Sequence, residues 1–254
     1  MNRIGNAFEN GNALITFFTC GDPDMQTTYS AVLCAVAGGA DIIGLNVPFS
    51  DPTAGSAESF KANERAFKSG TTTDKIFELI GRIRGDIAVP IVVMAYCNSI
   101  FSYGSEKFIS ACRQTGADAI IATDLPYEEK DEFLPVCEKY GVTLISLIAC
   151  AKTERMEKIA REAQGFLYFV PSADGTKDPA ILRGECEKVM RAVRKSTDVP
   201  CVLFGADRYC RKLADGLFDG IIADFEISAI VEKYGADSPE RVGEFVKAVK
   251  GEIK

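Results

Sequence analysis

Acidic and polar residues follow short apolar runs at regular intervals along this 254-residue chain. Carboxyl groups within about 3 Å of a reacting atom can deliver or accept a proton. The chain has no histidine, which is the usual proton shuttle at neutral pH and the commonest metal ligand. Acid/base work would therefore fall to Asp, Glu, Lys, Tyr or Cys, and we expect no metal site. The residues in question are Asp22, Asp51, Tyr96, Asn98, Asp124, Asp174, Asp207, Asp224 and Glu226.

The apolar runs that would position these residues alternate with helical patterns. Eight strands are predicted, at residues 13–18, from 42 to the proline at 48, and at 91–95, 119–123, 143–148, 166–170, 201–204 and 220–223. Helices are predicted at 25–37, 59–68, 72–84, 105–115, 128–140, 153–163, 184–195 and 206–215, with a short turn or helix at 3–10 and a last helix opening at 237–240. Such alternation implies a parallel sheet with right-handed crossovers.

Eight such units favour closure into a (β/α)8 barrel, and an open doubly wound sheet is the alternative. The chain has no G-x-G-x-x-G or G-x-x-x-x-G-K-[ST] string, so nucleotide-binding open sheets are unsupported and no cofactor is expected. In a barrel the active site lies at the carboxyl ends of the strands. The acidic residues above fall at those ends.

The bulk composition indicates a single domain and argues against several classes of protein. A hydrophobic content of 47% over 254 residues suits one barrel domain spanning residues 1–254. A net charge of −7 argues against nucleic-acid partners. No apolar run of about 18 residues or secretion signal is evident, which predicts a cytoplasmic protein without a membrane span. The nine cysteines form no C-x-x-C pair, which indicates reduced core thiols.

Three strings together identify a resemblance. They are V-P-F-S-D-P at residues 47–52, A-N-E-R-A-F at 62–67 and D-L-P-Y-E-E at 124–129, supported by G-D-P at 21–23 and Y-C-N at 96–98. The chain resembles the tryptophan synthase alpha subunit family over nearly its whole length. The resemblance implies a (β/α)8 TIM barrel with an extra N-terminal helix. It also implies a lyase that cleaves indole-3-glycerol phosphate to indole and glyceraldehyde 3-phosphate and docks to a pyridoxal-phosphate-dependent beta subunit.

The acid/base pair of that family is missing. The family has a glutamate three residues before the Val of V-P-F-S-D-P and an aspartate in the following loop, and these positions are Gly44 and Gly55 here. The replacement candidates are Glu58, Asp174 and Glu226, none of which occupies a matched position. For each of the three, the favoured interpretation is a helix N-cap or a solvated loop charge.

The substrate-binding positions also differ. The family's S-G-S after the eighth strand corresponds to Ala223, Asp224 and Phe225, where a carboxylate would repel a phosphate by more than about 1 kcal/mol. Gly205 is kept after the seventh strand. The loop after the sixth strand keeps Thr176, but has Asp174 and Lys177 where glycines are expected, and Lys177 could pair with Asp224 or meet an anion. Phe17 and Tyr168 match indole-pocket positions, although packing inside the barrel explains them equally well.

Three functional hypotheses follow. The chain could be a working alpha subunit with replacement acids. It could be a diverged barrel that has lost this reaction and uses an acidic mouth for another small molecule or for other lyase or isomerase chemistry. It could also be a non-catalytic partner of the beta subunit, because Asp51, Pro52, Asn98 and Pro126 lie in motifs that the family uses around that contact; the alternative is that the prolines only fold the loop. The sequence favours the second hypothesis.

Overall fold

The computed structural model describes residues 3–52, 56–171, 179–205 and 207–253. Its strands are β1 (Ala13–Thr19), β2 (Ile42–Asn46), β3 (Ile91–Ala95), β4 (Ala119–Ala122), β5 (Thr143–Leu144), β6 (Ser146–Ile148), β7 (Leu167–Phe169), β8 (Cys201–Phe204) and β9 (Gly220–Ala223). Its α-helices are α1 (Arg3–Asn6), α2 (Met25–Gly38), α3 (Ala57–Lys68), α4 (Thr73–Asp86), α5 (Cys97–Tyr103), α6 (Ser105–Thr115), α7 (Leu134–Tyr140), α8 (Thr153–Glu162), α9 (Pro179–Ser196), α10 (Arg208–Ala214), α11 (Phe225–Tyr234) and α12 (Ser238–Glu252). Two 3-10 segments, Tyr127–Glu132 and Gly235–Asp237, precede α7 and α12.

The sheet closes on itself as a (β/α)8 barrel. The order of neighbouring strands is β5-β4-β3-β2-β1-β9-β8-β7-β6, and every pair is parallel. The first and last members of that order, β5 and β6, are halves of one run of chain separated only by Ile145. The amide of Ile145 donates to the carbonyl of Ile120 at 2.9 Å, so the fifth strand follows its neighbour through the break.

Side chains alternate between two cores, as expected for strands covered on both faces. On β1, Ile15 and Phe17 face the barrel interior, whereas Leu14 and Phe18 pack in the layer between strands and helices. Residues before β1 close the amino end of the barrel, because Ile4 belongs to the interior cluster and the Phe8 ring lies 6.1 Å from that of Phe166.

The sequence-based prediction of a barrel with an extra N-terminal helix is confirmed, with local corrections. The N-terminal helix is one turn long, and the helix predicted at 128–140 is a 3-10 segment followed by α7, with Pro135 in its first turn. Helices α5 and α11 were not predicted. All nine cysteines are free thiols. No helix in the described part of the chain is long and apolar enough to cross a membrane.

Candidate active site

Gly44 lies under an aromatic ring. It pairs with Phe17 across β1 and β2, and a Cβ built on Gly44 would come within 2.2 Å of Cδ1 and 2.5 Å of Cγ of Phe17. Contacts this short do not occur between carbon atoms, so any side chain at position 44 requires the ring to move. Phe17 is fully buried, so that movement would have to take place inside the barrel core. Gly55, the other position that lacks an acid, lies outside the described residues.

Phe17 and Tyr168 both pack inside the barrel. Their rings stack with centroids 6.3 Å apart, and Tyr168 is only 4% exposed. Burial, with a contribution from the charge of Asp224, raises the pKa of Tyr168 well above its usual value. The phenol therefore stays protonated at neutral pH. The two aromatic residues predicted to line an indole pocket form the floor of the barrel mouth.

Asp224 is a buried carboxyl group at the carboxyl end of β9. Ile222 belongs to the interior cluster and Ala223 to the outer layer, so alternation directs Asp224 inward. It is 6% exposed, and the amide nitrogen of Asn46 approaches its Oδ1 at 3.5 Å. Burial, with a smaller contribution from the charge of Glu226, raises the pKa of Asp224 to about 7 although the Asn46 contact lowers it. Asp224 thus changes charge near neutral pH, unlike an ordinary aspartate.

The end of the barrel formed by β8 and β9 carries an engaged backbone donor and a pair of packed rings. The amide of Gly205 donates to the carbonyl of Ile222 at 2.9 Å and is occupied by the sheet. Helix α11 begins at Phe225, and Asp224 stands at its N-cap without a side-chain capping bond. The Phe225 ring packs edge-on against Phe204 with centroids 4.8 Å apart. Thr176 and Lys177, predicted to contact substrate, lie outside the described residues.

Of the three candidate replacement acids, two are described. Glu58 lies in the first turn of α3, where hydrogen bonds from the Ser56 hydroxyl and from its own amide lower its pKa. Its position there lets the carboxylate stabilise the helix start, although the N-cap itself is Ser56. Glu226 lies in the first turn of α11 and raises the pKa of Asp224 through its charge. Asp174 lies outside the described residues.

The predicted partner-contact residues lie at the ends of adjacent strands. Asp51, Asn98 and Pro126 are exposed and Pro52 is partly exposed, and they follow β2, β3 and β4. The hydroxyl of Ser50 donates to Asp51 at 2.5 Å. Phe101 on α5, three residues after Asn98, is 49% exposed. These residues form an accessible rim on one side of the mouth.

Internal contacts hold Tyr96 and Asp124, two other residues predicted at the mouth. The Tyr96 ring stacks on that of Phe49 with centroids 4.6 Å apart. The amide of Cys97 donates to Asp124 at 2.7 Å. Burial and the hydrogen bond to Asp124 raise the pKa of the Cys97 thiol to about 12. At neutral pH this cysteine is not a thiolate, and Asp124 supports the start of α5.

An ion pair that was missed from the sequence joins the loop after β1 to α3. Asp22 is 4% exposed and receives two hydrogen bonds from Arg65, Nε to Oδ1 at 2.6 Å and Nη2 to Oδ2 at 2.8 Å. Burial raises the pKa of Asp22 and outweighs the lowering by Arg65. Arg65 stands in the A-N-E-R-A-F string, so the string itself was the available signal. Next to it, Lys61 on α3 pairs with Glu232 on α11 at 2.6 Å.

Comparisons with known proteins agree with this architecture. The family model described as "Tryptophan synthase alpha chain" matches residues 6–252. The chain is 41% identical over 241 residues to the tryptophan synthase alpha chain of Caldanaerobacter subterraneus subsp. tengcongensis, covering 92% of this chain and 90% of that protein. The crystal structure of the tryptophan synthase alpha chain from Legionella pneumophila matches with a TM-score of 0.87 at 27% identity, covering 100% of this chain and 97% of the other. A chain from a Pyrococcus furiosus structure that addresses mutual activation of the tryptophan synthase a2b2 complex matches with a TM-score of 0.84 at 26% identity. The match covers 95% of this chain and 98% of the other.

Proposed function

Because the chain belongs to the tryptophan synthase alpha chain family, we propose that it is a diverged member in which cleavage of indole-3-glycerol phosphate is lost or reduced to a trace. We propose further that its mouth binds a small molecule other than a phosphate ester. The observation that carries this proposal is the ring of Phe17 lying over Gly44.

The missing carboxylate has a direct kinetic cost. A positioned general acid or base contributes about 10²- to 10⁴-fold to a rate, and glycine at position 44 has no side chain with which to transfer a proton. We do not expect Glu58 to replace it, because its carboxylate is engaged at the start of α3 by the Ser56 hydroxyl and by its own amide. Both acids of the family pair are absent, since position 55 is also glycine.

The phosphate end supports the same conclusion by charge and by volume. A phosphate dianion near Asp224 would be repelled by the ionised carboxylate, and the amide of Gly205 is already bonded to Ile222. The paired rings of Phe204 and Phe225 place apolar surface beside this carboxylate. Together these features favour a neutral or cationic ligand over an anionic one.

The test is indole release from indole-3-glycerol phosphate by the purified chain, measured alone and with a tryptophan synthase beta subunit. We expect no more than a trace of product in both cases. An ordinary alpha chain, such as the 41% identical relative, serves as the positive control. Turnover comparable to that control would overturn the proposal and support a working alpha subunit with replacement acids.

A second candidate function is that of a non-catalytic partner for a beta subunit. The exposed rim that includes Asp51, Asn98 and Pro126 favours it. The likeness to the Pyrococcus furiosus chain, whose structure addresses the a2b2 complex, favours it as well. The expected result is a stable complex in analytical ultracentrifugation that changes the beta subunit's turnover. Asn98→Arg should weaken the complex, whereas Arg183→Met, on a distant exposed ion pair of α9, should not. A beta subunit that sediments separately would exclude this candidate.

A further inference from the structure

Two neighbouring side chains inside the mouth have more hydrogen-bond acceptors than donors. Asn46 Oδ1 is fully buried and has no partner among the described residues. The carboxylate of Asp224 has one contact there, from Asn46 Nδ2 at 3.5 Å, which is longer than a normal hydrogen bond. Buried acceptors without donors destabilise the fold, because they lose the hydrogen bonds that water would give them. Such a cluster in a native protein calls for an explanation by water or a ligand.

The position of the pair suits a ligand entering from solvent. Asn46 ends β2 and Asp224 follows β9, and these two strands flank β1 in the barrel. Both side chains therefore lie at the carboxyl end of the barrel interior, above the stacked Phe17 and Tyr168 rings. Asn46 is only partly buried, so the pair lies just inside the rim.

Among the described residues, the charge identified next to the pair is negative, which favours a cation. Glu226 is close enough to raise the pKa of Asp224 by like-charge repulsion. The nearest cations on α3 are already engaged, Arg65 with Asp22 and Lys61 with Glu232. An arriving positive charge would relieve this repulsion.

The rings around the pair favour an apolar body attached to that charge. Tyr168, Phe204 and Phe225 form a continuous aromatic series, with centroids 5.8 Å and 4.8 Å apart. Aromatic faces attract ammonium groups and bury the carbon atoms next to them. An ammonium group has three donors and no acceptor, which matches the excess of acceptors on Asn46 and Asp224.

We propose that the mouth binds a primary amine with an aromatic or alkyl body, its ammonium group held between Asp224 and Asn46 Oδ1 and its body against Tyr168, Phe204 and Phe225. This inference rests on the proposed function, since it assigns a ligand class to the site that no longer suits a phosphate ester.

The test is calorimetric titration of the full chain with 2-phenylethylamine at pH 8, with 2-phenylethanol as the neutral analogue of the same shape. The amine should bind at least about tenfold more tightly than the alcohol. Asp224→Asn, which keeps the shape but removes the charge, should abolish that preference. The matched control is Asp207→Asn, at the neighbouring strand end, where asparagine can still cap α10 and accept from Cys210; it should leave the preference intact.

Equal binding of amine and alcohol, or an amine preference that survives Asp224→Asn, would overturn the inference. Circular dichroism of Asp224→Asn checks that the variant is folded, and Asn46→Leu gives a second route to the same loss. The indole-release assay is independent of these titrations. If neither the amine binds nor indole is released, the ligand class is wrong and the loss of cleavage stands; indole release at the family's rate defeats the proposed function itself.

Discussion

The aromatic ring of Phe17 occupies the space into which a side chain on Gly44 would project, with only 2.2 Å between its Cδ1 and a Cβ at position 44. The two residues are direct neighbours in the β1–β2 register. The glycine at position 44 and the position of the Phe17 ring therefore depend on each other, because the ring fills the space that a side chain would need.

The first prediction concerns this contact. Gly44→Ala should destabilise the fold by about 1–3 kcal/mol, the usual cost of overpacking a core, as measured by urea unfolding. Gly184→Ala, on α9 with open space around its Cβ, is the matched control and should be neutral or stabilising because alanine favours helix. Phe17→Leu combined with Gly44→Ala should recover part of the loss. Equal stabilities of Gly44→Ala and the parent would show that the ring moves freely.

The second prediction is that restoring the acids is insufficient. Gly44→Glu with Gly55→Asp should still release no more than a trace of indole. The new glutamate must displace Phe17, and the substrate phosphate still meets Asp224. Adding Phe17→Leu to the pair separates the two causes, since it removes only the first. Family-level turnover by the simple double variant would contradict both causes.

The third prediction isolates the phosphate end. Asp224→Gly with Phe225→Ser should raise the affinity for glycerol 3-phosphate at least about tenfold, or about 1.4 kcal/mol. The double change removes the repelling carboxylate and provides a hydroxyl donor at the start of α11. Calorimetry measures this directly, with Asp207→Asn as the control for a change in net charge alone. Unchanged affinity would mean that Asp224 is not what excludes phosphate.

The fourth prediction follows from the titration of Asp224. Its pKa is about 7 in the folded chain against 3.8 for an unperturbed aspartate, so between these pH values the folded state holds a proton that the unfolded state has released. The contribution of Asp224 to stability is therefore complete below about pH 3.8 and is lost progressively as the pH rises to about 7. Glu226 and Asn46 are the groups whose influence on this titration is identified.

Urea unfolding at pH 5 and pH 8 measures this effect. The difference in free energy of unfolding between pH 5 and pH 8, taken as the value at pH 5 minus that at pH 8, should be larger for the parent than for Asp224→Asn, because the other titrating groups contribute to both. An identical difference in the two proteins would show that Asp224 is ionised at pH 5 in the folded state.

The architecture was largely predictable because buried parallel strands are short apolar runs. The strands at 91–95, 201–204 and 220–223 were predicted to the residue. Helices α5 and α11 were missed because they begin directly after Tyr96 and Asp224, with no Gly or Pro loop between strand and helix. The break of the fifth strand at Ile145 has no sequence signal either.

The sequence predicted which residues lie at the candidate site, but not which of their side chains are in contact. The resemblance to the family indicated that Gly44 belongs at the mouth, and the position of Asp224 after the eighth predicted strand indicated the same for that residue. The sequence did not reveal that Phe17, 27 residues before Gly44, lies over that glycine. Nor did it show that Asn46 approaches Asp224 across β1, because this depends on strand order and on the alternation of side chains in the closed barrel.

The ion pairs on α3 connect the two ends of the mouth. Arg65 ties α3 to the loop after β1, and Lys61 ties the same helix to α11, which begins just after Asp224. The loop after β1 and the start of α11 are therefore both held through α3. We expect substitutions at Asp22 and Asp224 to be energetically coupled, so that their combined effect on ligand binding differs from the sum of the separate effects.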